Sequence, residues 1–108
     1  MASRSRGARI RNTYIVAYDV LDDKRRTKAH KILKGRGDAL QYSVFRCDLS
    51  DAERVVMQAA LWEVLNLKDD RVVILDLGPQ EGRAKLAIET WGKPLEESPP
   101  TPGGAIIL

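Results

Sequence analysis

The stretch Thr13–Val20, TYIVAYDV, constrains the fold more than any other part of this chain. Tyr14, Val16 and Tyr18 alternate with Ile15, Ala17 and Asp19, so both faces of an extended segment are mostly apolar, which suits a central strand. The chain has 108 residues, enough for one domain around one core. The run ends in a carboxylate, Asp19, and two more follow at Asp22 and Asp23. Strands that only fill a core do not need to end this way. Asp19 is therefore either the polar end of a strand or part of a site.

The rest of the chain organises around that strand. Asp22 or Asp23 is a good N-cap for a helix running to about Lys34, with Ala29, Ile32 and Leu33 as its apolar stripe and Gly35 and Gly37 stopping it. Ala39 to Leu49 reads as extended, either one long bent strand or two short ones broken near Gln41. Ser50-Asp51-Ala52-Glu53 fits a capping box. The helix it starts carries Val55, Val56, Ala59, Trp62 and Leu65 as its apolar residues. Arg71 to Leu77 reads as another buried strand, closed by Gly78-Pro79, and residues 84–91 alternate weakly, as a strand would. This order predicts an α+β, ferredoxin-like sandwich: an antiparallel sheet with two helices on one face. Residues 1–12 read as a disordered basic arm, 13–92 as the domain, 93–104 as a Pro/Gly-rich linker. Residues 105–108, AIIL, suit an extra C-terminal edge strand, paired with its own sheet, a second protomer or a partner.

Composition removes several classes. With 44% hydrophobic and 31% charged residues the chain is of globular type. No apolar run is long enough to span a membrane and no signal peptide is visible, so a cytoplasmic protein is expected. One cysteine (Cys47) and one histidine (His30) exclude a Cys/His zinc site. There is no P-loop and no GxSxG, and QYSVFRC lacks the aromatic pattern of an RNP motif. Cys47, in an apolar strand, reads as a core residue.

The formal net charge is +3, but Lys24 to Arg36 holds seven basic side chains and no acidic one. That is a solvated helix face or a polyanion-binding surface, the latter gaining affinity by counterion release. Arg25, Arg26 and Lys28 lie near the helix start, with Arg25 and Arg26 able to point back toward Asp19. The functional reading of Asp19 is a hard-metal ligand, since Mg²⁺ takes one or two protein carboxylates alongside phosphate oxygens. One chain offers too few ligands, and a two-fold dimer would bring a second Asp19 to the axis.

YIVAYDV, then DDKRR, then GRGDALQYSVFRCDLS, together resemble the small CRISPR-associated protein of spacer acquisition, a family of metal-dependent endoribonucleases. The resemblance covers residues 13–78, and WGKP…AIIL is similar to that family's C-terminal extension. It implies a homodimer whose paired Asp19 side chains hold Mg²⁺ and carry catalysis on RNA or DNA. It also implies partnership with the CRISPR integrase subunit, and places Ser43 and Phe45 near the dimer interface or site. Two departures stand out: Ala39 where a basic residue is common, and Arg46 where an acid is common. Two other functions fit the same pattern, a non-catalytic DNA-binding scaffold of the integrase complex and a stand-alone toxin-like ribonuclease.

Overall fold

The computed structural model describes residues 10–95. The order is β1 (Asn12–Asp19), α1 (Asp23–Lys34), β2 (Asp38–Gln41), β3 (Val44–Leu49), α2 (Asp51–Val64), β4 (Arg71–Pro79) and a short α3 (Ala84–Ala87). The four strands form one sheet in the order β2-β3-β1-β4, every pair antiparallel. With the helices after β1 and β3, this is the ferredoxin-like βαββαβ arrangement that the sequence predicts. β1 is central, as its two apolar faces require.

One face of the sheet is the core. Tyr14, Val16 and Tyr18 of β1 and Phe45, Cys47 and Leu49 of β3 are buried there, against Ala29 and Leu33 of α1 and Met57 and Leu61 of α2. Phe45 is fully buried; burying one such side chain is worth roughly 1.5–3 kcal/mol. Each helix starts where its side chains can satisfy orphan N–H groups. Asp22 accepts the Arg25 N–H at 2.9 Å. Ser50 accepts from the Glu53 N–H at 3.2 Å while Glu53 accepts from the Ser50 N–H at 2.8 Å. Arg11 adds a forked pair to Glu53 at 2.8 and 2.9 Å and holds its carboxyl down at about 2.

Several expectations change, and one left open is settled. Residues 84–91 form no strand; Ala84–Ala87 is a helical turn instead. β4 is an edge strand, with Val73 and Leu75 39% and 51% exposed, and it runs through Gly78, whose φ of +89° suits glycine. On α2, Val55, Val56 and Trp62 are exposed, and Met57 and Leu61 face the core. That helix carries two apolar stripes, and the one nearer Arg54 packs, its guanidinium lying 5.0 Å from the Tyr14 ring centre. Gly37 is needed for close approach to β3, since a Cβ there would stand 2.1 Å from the Arg46 carbonyl oxygen. The extended run 39–49 resolves into two strands, broken after Gln41 by the turn Tyr42-Ser43. The register slips between Ala39 and Gln41, a bulge at Leu40. β1 begins at Asn12, and the AIIL segment and residues 1–9 lie outside the described residues.

Candidate active site

The face of the sheet away from the helices is built by register. Asp19 pairs with Arg71 across β1 and β4, Ala17 with Val73 and Val44, and Ile15 with Leu75 and Arg46. Paired residues share a face, so Ile15, Ala17, Val44, Val73 and Leu75 make an apolar band with Asp19 and Arg71 at one end. A groove of about 430 Å³ opens at the other end, between Thr13, Arg46, Asp48, Glu81 and Lys85, and does not include Asp19.

Asp19 is exposed at the last position of β1, and no other described residue hydrogen-bonds to its carboxylate or forms an ion pair with it. The backbone just beyond it is pinned from several sides. Arg26 donates to the Val20 carbonyl at 3.2 Å and pairs with Asp23. The Leu21 N–H donates to Asp70 at 3.4 Å. Asp70, whose side chain has no exposed surface, also accepts from the Asn66 N–H at 2.9 Å and takes a forked pair from Arg25 at 2.8 and 3.1 Å. The Arg25 guanidinium and these two N–H groups hold the Asp70 carboxyl below the usual range, and Asp70 in turn raises Arg25.

The structure therefore brings Arg25 and Arg26 to the end of β1, as the sequence suggests, with their forks already engaged by protein oxygens. Arg25 uses Nε and Nη2 on Asp70, so two of its five N–H donors are committed to the fold. Lys28 is exposed on α1. Ser43 is half-buried at the hairpin turn, and its carbonyl accepts the Tyr18 N–H at 3.0 Å, one residue before Asp19. Phe45 has no exposed surface and packs beside the Tyr18 ring (6.4 Å, 20°) and edge-on to His30 (5.3 Å). It supports the site from inside the core and presents nothing outward. His30 meets the Tyr18 hydroxyl at 3.2 Å. Cys47 is buried, and burial pushes its thiol up to about 11, so it is no nucleophile.

Arg71 is the residue that sequence reasoning missed. It reads there as the first residue of a strand, and only the β1–β4 register puts it beside Asp19. Among the described residues no group of three or more His, Cys, Asp and Glu could hold a metal ion. A single unpartnered carboxylate still suits a hard cation that takes one or two carboxylates and fills its other positions with water and phosphate oxygen. No described helix is long and apolar enough to cross a membrane.

Fold and site together define a small ferredoxin-like protein with one solitary carboxylate at the end of its first strand, set among arginines. The chain belongs to the family of the CRISPR associated protein Cas2, whose family model matches residues 12–83. It is 39% identical over 92 residues to the CRISPR-associated endoribonuclease Cas2 1 of Rhodospirillum rubrum, covering 85% of this chain and 89% of that one. It is 41% identical over 80 residues to the CRISPR-associated endoribonuclease Cas2 of Geobacter sulfurreducens, covering 74% and 83%. The fold superposes on a hypothetical protein of Thermus thermophilus (TM-score 0.65, 31% identity, 80% of this chain and 96% of that one). Streptococcus pyogenes Cas2 at pH 6.5 gives a TM-score of 0.63 at 28% identity, with 74% and 99% covered.

Proposed function

We propose that this chain is an endoribonuclease-type phosphodiesterase of CRISPR adaptation, acting as a homodimer with Mg²⁺ in the cytoplasm, alongside the CRISPR integrase. The observation that carries the reading is Asp19: its neighbours are tied down by six hydrogen-bonding side chains and backbone groups, while its own carboxylate has no hydrogen-bond or ion-pair partner among the described residues. A carboxylate kept exposed and bare on a rigid support is available to a cation. The relatives' activity name and the family membership support a phosphodiester substrate and a CRISPR role.

The apolar band of Ile15, Ala17, Val44, Val73 and Leu75 supports the homodimer. A sheet with helices on one face leaves such a band to be covered, and a second copy meeting it across a two-fold axis supplies a second Asp19 from the same end of its own sheet. The two Asp19 carboxylates would hold Mg²⁺, which would supply Lewis acidity toward a phosphodiester. Arg71, exposed beside Asp19, and Lys28, exposed on α1, attract the phosphate backbone. Arg26 and Arg25 keep the strand end fixed, and Ser43 and Phe45 hold the hairpin and core behind it.

Asp19→Ala tests this. The variant is expected to lose Mg²⁺-dependent cleavage of single-stranded RNA and DNA while its unfolding free energy stays within about 0.5 kcal/mol of the parent, because the side chain is exposed and unpaired. Unchanged cleavage by the variant would sink the catalytic reading. The lack of a three-carboxylate cluster among the described residues favours a second reading, a non-catalytic nucleic-acid scaffold of the integrase complex. Binding without any Mg²⁺-dependent cleavage by the parent protein would select it.

A further inference from the structure

The turn that joins β2 to β3 has the wrong residues for what it does. Two-residue hairpin turns favour backbone types with positive φ at one or both central positions, hence Asn, Asp or Gly there. Here the two residues are Tyr42 and Ser43, and no non-glycine described residue has a positive φ. The turn is held from outside instead. Tyr18 donates its N–H to the Ser43 carbonyl at 3.0 Å and its O–H to the Tyr42 carbonyl at 3.1 Å. The hydroxyl has one proton, so in its 3.2 Å contact with His30 the imidazole Nδ1–H donates and the Tyr18 oxygen accepts. A relay from α1 through β1 thus fixes both carbonyls of the turn. The outcome is a tyrosine ring at its tip that is 75% exposed.

That ring sits at the Asp19 end of the sheet. Val44, the residue after the turn, pairs with Ala17, and the turn itself bonds to Tyr18, next to Asp19. Leu21, 71% exposed, adds apolar surface just beyond Asp19, and Arg71 stands on the other side across the β1–β4 ladder. The register therefore places the hairpin tip that carries Tyr42 on one side of Asp19 and Arg71 of β4 on the other.

We propose that Tyr42 is a stacking platform for one nucleobase of a single-stranded nucleic acid whose adjoining phosphate lies at Asp19. The inference rests on the nucleic-acid reading above and adds the group that grips the strand. A nucleotide offers a base with a π-face on one side and an anionic phosphate on the other. An aromatic ring and an arginine on either side of the carboxylate match that order. Stacking of this kind accepts any base, because each has a π-face. The relay from His30 explains why an apolar ring is held out in water: its anchor bonds lie at the turn backbone, which leaves the ring free.

The test measures anisotropy of a labelled oligothymidylate, and of an abasic strand with the same sugar-phosphate backbone, both with full-length protein and with Ca²⁺ in place of Mg²⁺, a hard cation that can bridge carboxylate and phosphate, with strand length checked on a gel to confirm that nothing is cut. Tyr42→Ala is expected to weaken oligothymidylate binding about tenfold, within the range alanine substitution gives for base–aromatic stacking. Tyr42→Phe should bind as the parent does, and parent and Tyr42→Ala should bind the abasic strand equally. Equal binding of parent and Tyr42→Ala to oligothymidylate overturns the proposal, as does an equal loss on the abasic strand, which would make Tyr42 a backbone contact. A Tyr42→Ala protein that runs at a smaller mass than the parent in light scattering also overturns it, placing the ring in a protein interface. Parent protein that binds neither strand removes the nucleic-acid reading itself, and this proposal with it.

Discussion

Replacing Tyr18 by phenylalanine isolates the relay that holds the β2–β3 turn. The ring stays, so the contact with Phe45 and the burial of a residue that is 7% exposed are kept. What goes is one hydroxyl with two bonds, to the Tyr42 carbonyl at 3.1 Å and from His30 at 3.2 Å. The two losses are unequal. The Tyr42 carbonyl belongs to an exposed turn and can turn to water, whereas His30 is half-buried on the sheet-facing side of α1 and loses its acceptor. Leaving one part-buried group unpaired costs about 1–2 kcal/mol, the lower part of the range for orphaned polar groups. For a domain of this size that lowers Tm by about 5–10 °C, read by circular dichroism. In urea the midpoint should fall with the slope unchanged. A cycle with His30→Leu tests the partner: the double variant should be less destabilised than the sum of the singles by about 0.5 kcal/mol or more. A Tyr18→Phe protein with the parent's midpoint, or strictly additive single effects, would refute the relay.

Gly37→Ala and Gly35→Ala should differ in size though they lie two residues apart. At Gly37 the new methyl meets the Arg46 carbonyl oxygen at 2.1 Å, which is backbone and cannot swing aside, so a loss of about 1–3 kcal/mol in urea unfolding is expected. At Gly35 the nearest atom is 3.5 Å away and φ is −76°, so the same change should be neutral or raise stability by up to about 1 kcal/mol. Cys47 gives the pH prediction. Its thiol is pushed up by burial from 9.0 to about 11, so the unfolded chain ionises first as pH rises. The stability it supplies is complete below pH 9 and is lost as pH climbs through the folded value, and a Cys47→Ala protein should lack that share of the decline. In the folded parent at pH 8, a thiol reagent should leave Cys47 untouched until denaturant is added.

Much of this architecture is legible because local signals and tertiary demands agree. The two apolar faces of β1 place it in the centre, Asp22 and Ser50 with Glu53 cap their helices, and Ala29 and Leu33 pack where their spacing puts them. The misreadings fall where several answers are locally equivalent. α2 offers Val55, Val56, Ala59 and Trp62 on one side and Met57, Leu61 and Leu65 on the other, and spacing alone does not say which side meets the sheet. Neighbours decide it: Arg11 holds Glu53 and the Tyr14 ring holds Arg54. The run RVVILDL gives no hint that it lies at an edge, because exposure there depends on which strand pairs with which. The β2–β3 hairpin is hidden because Tyr42-Ser43 carries no turn signature and is held by bonds from residues far away in sequence. Arg71 escapes notice for a related reason. Register across a crossover is what puts it next to Asp19.

The same contrast bears on what Asp19 is for. A strand-end carboxylate kept for structure finds a nearby donor, and this protein shows several doing so: Asp22 takes the Arg25 N–H, Asp70 takes Arg25 and two backbone groups, Asp48 takes the Thr13 hydroxyl at 2.5 Å and Glu53 takes Arg11. Asp19 has Arg25 and Arg26 shortly after it in sequence and Arg71 opposite it across the β1–β4 ladder, and forms an ion pair with none of them. Arg25 and Arg26 are drawn off by Asp70, Asp23 and the Val20 carbonyl. An arginine fork closing on Asp19 would neutralise it and block a cation. With those forks engaged elsewhere, the carboxylate's lone pairs stay open on a backbone braced just beyond it by hydrogen bonds. The basic residues that read in the sequence as a phosphate grip therefore do a prior task. They hold rigid the strand end from which Asp19 projects.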